Sequence, residues 1–182
     1  MTVEVHPTDV DTGAEIRGVD ISQPLAAEEV TVIEQAFVGH QVLLFRDQPL
    51  TDRQFADFSA QLGPLRVHIQ AAFRHPEIPE IVFNRNVDAD GKFDDVGASR
   101  GVTRDLKYGW HSDTSYEVDP AVATSVHALE VPSSGGNTCF ANGYRAYDIL
   151  NDNFKTRLDG LMGEFALGRN RKNSQTQTLP GK

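Results

Sequence analysis

Short alternating segments of apolar and polar residues predict strands in the first part of the chain. Val3 and Val5 alternate with polar neighbours, and residues 14–19 do the same. Two short strands are therefore predicted, with a turn at Gly13 between them. Residues 42–45 form a continuous apolar run, which predicts a third strand that is buried on both faces.

Two helices are predicted between and after these strands. Val30, Ile33 and Phe37 form one apolar stripe at helical spacing, in a segment that opens at Pro24, and Gly39 is the predicted stop. Residues 51–54, Thr-Asp-Arg-Gln, have the pattern of a capping box, with a hydroxyl first and an amide three residues later. A second helix is expected to start there and to end before a Gly-Pro pair.

The second half of the chain is richer in predicted strands. Residues 65–69, 81–83, 121–129 and 137–141 read as strands, and a Pro-Ser-Ser-Gly-Gly turn precedes the last of them. Two helices are predicted after it, the first over residues 144–150. This order of elements favours an α+β protein built around an antiparallel sheet sandwich.

Composition narrows the class of protein. The chain has 182 residues, of which 39% are hydrophobic and 24% are charged, as expected for one globular domain. The net charge of −9 argues against binding to nucleic acid or to an anionic membrane. One cysteine, Cys139, allows no internal disulfide and favours a reducing, cytoplasmic location. Neither a signal peptide nor a membrane-spanning stretch is predicted.

The tripeptide His111-Ser112-Asp113 is the strongest candidate for chemistry. It lies behind Trp110 in an alternating segment, and residues two apart on a strand point to the same face. An imidazole and a carboxylate on one face supply two of the three ligands of a two-histidine-one-carboxylate iron site. No histidine follows His127, so the third ligand is not visible. The alternative is a surface strand that carries two polar residues.

Four blocks of sequence together resemble the taurine dioxygenase family of Fe(II)/2-oxoglutarate oxygenases. They are residues 13–20, 40–48, 58–68 and the pair of stretches 110–116 and 128–138. The resemblance implies a double-stranded β-helix, or jelly-roll, core with flanking helices. It also implies that residues 1–182 belong to a single dioxygenase domain whose C-terminal part, with a distal histidine and an arginine, is not present in this chain. By itself the chain is then expected to be inactive.

The resemblance assigns roles to particular residues. His111 and Asp113 would bind Fe(II), and Thr138 would contact the co-substrate 2-oxoglutarate. His68 corresponds to a histidine that reaches the anionic head group of the substrate, and Lys107 lies near a further substrate-binding position. Departures from the family pattern near these positions disfavour taurine itself.

The implied reaction is hydroxylation of a small anionic substrate, such as a sulfonate, a sulfate ester or a carboxylate, with O2 consumed and succinate and CO2 released. A homo-oligomer is expected, because relatives commonly form them. Residues 84–107 and the polar tail after residue 168 are candidate lids. The alternative is a non-catalytic metal- or ligand-binding jelly-roll module, and a cupin-like isomerase is a weaker alternative. His75 lies in a polar stretch of sequence and is expected to be exposed to solvent.

Overall fold

The computed structural model describes residues 2–68, 71–85, 90, 92 and 110–166. Its elements, in chain order, are β1 (Glu4–Pro7), β2 (Ala14–Arg17), α1 (Ala27–His40), β3 (Leu43–Leu44), α2 (Asp52–Gln61), a 3-10 helix (Ala71–Phe73), α3 (Gly143–Asp148) and α4 (Asp152–Leu158). Within these ranges, no helix combines the length and the apolar character that crossing a membrane would require.

The three strands form one small mixed sheet in the order β1-β2-β3. β1 and β2 pair antiparallel, with Val5 opposite Ile16, and β2 pairs parallel with β3, with Ala14 opposite Leu43. Gly13, at the entry to β2, has a φ of +102°, a conformation that glycine adopts without steric cost. The predicted strand pair and its turn are therefore confirmed.

The buried core lies between this sheet and the two long helices. Ile16 of β2 packs with Ile33 of α1 and Phe58 of α2, and all three side chains are buried. Phe58 also meets Phe45 edge-on, with ring centroids 5.2 Å apart, a favoured aromatic geometry. Ile33 of the predicted apolar stripe therefore lies in a core that α1 shares with α2 and the sheet.

The start of α2 and the end of α1 each have an identifiable cause. At the start of α2, the Thr51 hydroxyl accepts a hydrogen bond from the Gln54 N–H at 3.3 Å, and the Thr51 N–H donates to the Gln54 Oε1 at 2.9 Å, so the capping box is confirmed. The predicted stop of α1 at Gly39 is wrong. The helix continues to His40, and Gln41 takes the left-handed conformation with a φ of 62°.

Several strand predictions are wrong within the described residues. β3 is an edge strand with one neighbour, so Leu44 is exposed rather than buried on both faces. Residues 65–68, 121–129 and 137–141 join no sheet, and the only pairing found near residues 81–83 is a bridge between Arg74 and Val82. Alternation predicts which side chains share a face, but a strand also needs a hydrogen-bonded partner, which the described ranges do not supply.

Three glutamines hold the loop that joins β2 to α1. Gln48 accepts a hydrogen bond from the Ile21 N–H at 3.2 Å and donates to the Val19 carbonyl at 3.1 Å. Gln61 accepts from the Leu25 N–H at 2.7 Å, and Gln54 donates to the carbonyl of Ser22 at 3.3 Å. These side chains satisfy loop backbone groups that no sheet or helix pairs. No pattern in the sequence indicated this role.

His75 is not the solvated residue that its polar surroundings predicted, because its side chain is only 14% exposed. Its Nδ1 accepts hydrogen bonds from the N–H groups of Glu77 and Ile78, both at 3.0 Å. The proton then lies on Nε2, which is 3.2 Å from a carboxylate oxygen of Asp52 at the start of α2. His75 therefore joins the loop after the 3-10 helix to α2.

Replacing His75 by alanine is expected to lower the free energy of unfolding by about 1–3 kcal/mol, because two backbone donors lose their acceptor. Urea unfolding of the two proteins measures the difference. His6→Ala is the matched control, since His6 is an exposed histidine that contacts Glu4 on the same strand. Equal stability of the two variants would contradict the structural role of His75.

Candidate metal centre

His111 and Asp113 lie at the start of a turn rather than on the predicted strand. Residues 113–116 form the turn, and Thr114 has a φ of 53°. Non-glycine residues take this left-handed conformation rarely, and it is common at tight turns. The strand prediction is therefore wrong for residues 111–113, but the side chains of His111 and Asp113 still lie close together, as the strand was expected to place them.

The side chains of the two residues approach each other. The Nε2 of His111 is 3.2 Å from the Oδ1 of Asp113. Two ligand atoms that each lie about 2.1 Å from one metal ion, at right angles, are about 3 Å apart. The pair therefore fits neighbouring ligand positions of a divalent ion. With 73% and 48% of the two side chains exposed, the pair is also open to an ion from solvent.

A threonine holds the carboxylate of Asp113. The Thr124 hydroxyl donates to the Oδ2 of Asp113 at 2.7 Å, which leaves Oδ1 directed at His111. Hydrogen bonds of this kind orient ligand carboxylates in metal sites. Thr124 comes from a segment that the sequence predicted only as a strand, so its role was missed. The contact is made across a loop, and a local motif does not reveal such a contact.

Thr114 makes hydrogen bonds within the loop that follows Asp113. Its hydroxyl accepts the N–H of Ala121 at 2.6 Å, and its carbonyl accepts the N–H of Glu117 at 2.9 Å. Asp113 therefore precedes a residue whose hydroxyl and carbonyl both take part in hydrogen bonds. The backbone directly after Asp113 is therefore restrained by two hydrogen bonds.

The other predicted site residues are less closely tied to this pair. Thr138 is exposed and follows the predicted turn, where Gly135 and Gly136 have φ values of 76° and 68°. His68 is partly buried, and its carbonyl accepts the Arg74 Nε–H at 2.6 Å. Lys107 lies outside the described residues, as do most of residues 84–107 and the tail after residue 168.

Within the described ranges, no group of three or more histidine, cysteine, aspartate or glutamate side chains is placed to hold a metal ion. His127 packs against the ring of Phe55 instead, with centroids 5.5 Å apart. His111 and Asp113 are therefore the two predicted metal-ligating side chains whose close approach is seen in this part of the chain. Their donor set, one imidazole nitrogen and one carboxylate oxygen, is suited to a non-haem iron.

Comparison with known proteins identifies the family. The model of the taurine catabolism dioxygenase TauD, TfdA family matches residues 4–181. The chain belongs to this family, and the resemblance seen in its sequence blocks is confirmed.

Named relatives share about a third of the aligned residues. The α-ketoglutarate-dependent 2,4-dichlorophenoxyacetate dioxygenase of Cupriavidus pinatubonensis is 32% identical over 170 residues, covering 90% of this chain and 58% of the relative. An α-ketoglutarate-dependent sulfate ester dioxygenase of Pseudomonas putida is 30% identical over 161 residues, covering 88% of this chain and 48% of the relative. The chain thus spans between about half and three-fifths of these relatives' length.

Solved structures agree with the family. A Burkholderia xenovorans protein provisionally described as an α-ketoglutarate-dependent taurine dioxygenase superposes with a TM-score of 0.70 at 27% identity, over 87% of this chain and 53% of that one. A second protein from the same organism, provisionally described as an α-ketoglutarate-dependent 2,4-D dioxygenase, gives a TM-score of 0.60 at 29% identity, over 87% of this chain and 51% of that one. The neighbours of this fold are therefore dioxygenases of the TauD kind.

Proposed function

We propose that the protein is an Fe(II)- and 2-oxoglutarate-dependent dioxygenase, with His111 and Asp113 as two of the iron ligands. The 3.2 Å approach of the imidazole and the carboxylate carries this proposal. Membership of the TauD, TfdA family supports it. We also propose that residues 1–182 lie in a single dioxygenase domain with a jelly-roll core, a fold supported by the structural neighbours.

Each residue of the site has a definite task in this proposal. Iron, when bound, supplies the activation of O2 and the oxidation of the substrate. His111 and Asp113 hold the ion, while Thr124 keeps the carboxylate turned toward it. The hydroxyl of Thr138 donates a charge-assisted hydrogen bond to a carboxylate of 2-oxoglutarate. The imidazole of His68, a partly buried residue, binds the anionic group of the substrate.

The proposed substrate is a small organic anion that is hydroxylated while 2-oxoglutarate is converted to succinate and CO2. The relatives named above act on a phenoxyacetate and on sulfate esters, and both substrates pair a negative group with an organic chain or ring. In a chain with a net charge of −9, such a substrate needs local positive groups. His68 and Lys107 are the residues proposed for this, and Lys107 stays a prediction from sequence.

A second candidate is a non-catalytic module that binds a metal or a ligand. The distance between His111 and Asp113 also fits a plain ion pair between an imidazolium and a carboxylate. In that case the pair would stabilise the turn and would bind no iron. For either candidate we propose a cytoplasmic homo-oligomer, without nucleic acid or membrane as partner. The single Cys139, which is exposed, suits a reducing compartment.

The test is release of succinate from 2-oxoglutarate by the full-length protein with Fe(II), ascorbate and O2. We expect at least one compound in a panel of aryloxyacetates, sulfate esters and sulfonates to stimulate release about tenfold or more over the reaction without substrate. A chelator should remove the activity and added Fe(II) should restore it. Succinate release that no compound stimulates, together with unchanged metal content after chelation, would favour the non-catalytic module.

A further inference from the structure

We propose that Arg66 is a positioning residue that holds the metal-binding turn in place from a distant part of the chain. The inference rests on the proposed function and deepens it, because it concerns how the proposed iron ligands His111 and Asp113 are held in position. Arg66 lies between α2 and His68, far from the turn in sequence. Nothing in the sequence pattern separates it from other exposed arginines.

The guanidinium of Arg66 spans two carboxylates of the loop that follows Asp113. Its Nη1 is 2.5 Å from the Oε2 of Glu117, and its Nη2 is 2.8 Å from the Oδ2 of Asp119. Contacts across 51 and 53 residues make this a tertiary link rather than a local one. The planar fork of arginine can reach two acceptors in this way, whereas lysine presents a single ammonium.

The link is connected to the ligands through hydrogen bonds. The side chain of Glu117 forms an ion pair with Arg66, and its N–H donates to the carbonyl of Thr114 at 2.9 Å. Thr114 follows Asp113 directly and is held again by the N–H of Ala121 at 2.6 Å. Arg66 therefore fixes the loop whose first residue is a proposed iron ligand.

The same link also relates two parts of the proposed site. Arg66 is two residues before His68, the proposed contact for the substrate's anionic group. The ion pairs of Arg66 link the segment that contains His68 to the loop that follows Asp113. The segment and the turn otherwise come from separate parts of the chain, and loop 113–121 has no sheet to hold it.

The expected size of the effect follows from exposure. Arg66 and Glu117 are 40% and 35% exposed, whereas Asp119 is 91% exposed. Exposed ion pairs contribute little to stability, so the loss of Arg66 should not unfold the protein. Its consequence should be a less ordered turn and a metal affinity lowered about three- to tenfold. Most of this effect should come from Glu117.

Co(II) titration of the full-length protein, followed by visible absorption, tests the inference without any turnover. Arg66→Met is expected to raise the dissociation constant of Co(II) about three- to tenfold, with little change in the thermal midpoint. Arg66→Lys keeps the charge but loses the forked guanidinium, so its dissociation constant for Co(II) should lie between those of the unchanged protein and Arg66→Met. Arg17→Met is the matched control, because Arg17 makes two hydrogen bonds to the carboxylate of Glu15 on β2. It should leave Co(II) binding unchanged.

A double-mutant cycle then shows whether Arg66 acts through Glu117. Glu117→Gln should weaken Co(II) binding by a similar factor, and adding Arg66→Met to it should bring little further change. Unchanged Co(II) affinity in Arg66→Met, with binding lost in His111→Ala, would overturn the inference and leave the proposed function standing. Co(II) binding that is insensitive to His111→Ala would overturn both.

Discussion

Alanine at position 111 or 113 is expected to abolish substrate-dependent succinate release and to weaken Fe(II) binding by at least about a hundredfold. Loss of a group that merely supports a metal ligand lowers affinity or activity 10–100-fold, and loss of the ligand itself should cost more. The Nε2 of His111 and the Oδ1 of Asp113, 3.2 Å apart, are the two atoms removed. Metal content after gel filtration and succinate release measure the two effects.

The residue between the ligands provides the control for this experiment. Ser112→Ala changes the same turn but keeps the imidazole and the carboxylate, so it should retain Fe(II) and most of the activity. Asp113→Asn keeps the shape of the side chain and removes its charge, and it should resemble Asp113→Ala. Turnover that survives in either alanine variant would refute the assignment of iron to this pair.

The approach of His111 and Asp113 could be predicted from sequence because it is local. Two side chains separated by one residue converge in a strand, and here they also converge at the start of a turn. The prediction of convergence therefore survived an error about the backbone. Thr124 and Arg66 could not be found in this way, since their contacts span 11 and more than 50 residues. Such contacts depend on how loops meet in space.

The same difference between local and non-local contacts explains which helices and strands could be predicted. The capping box at Thr51 and the apolar stripe through Ile33 are complete within a few residues, and both helices formed, although α1 ends at His40 rather than at Gly39. The run of β-forming residues around Val122 and Val126 also predicted a strand, but both side chains are largely exposed and their segment joins no sheet in the described ranges. A strand becomes stable through pairing and burial that its own sequence does not contain.

Replacing Ile33 by alanine is expected to lower the free energy of unfolding by about 2–5 kcal/mol, the range for large-to-small substitutions in a packed core. Ile33 is 1% exposed and is the largest fully buried side chain among the described residues. It packs with Ile16 of the central strand and Phe58 of α2, so its loss leaves a cavity that three elements share. Urea unfolding of the full-length protein measures the difference.

Val38→Ala on the same helix is the matched control, because Val38 is 75% exposed and the change should stay within about 0.5 kcal/mol. Equal losses in the two variants would show that α1 does not bury its Ile33 face against β2. In our proposal the turn at residues 113–116 is held by Thr124 and by the Arg66 ion pairs, and none of these residues belongs to the core cluster of Ile33. Folded Ile33→Ala protein should therefore bind Co(II) normally, so that a loss of stability and a loss of the metal site can be told apart.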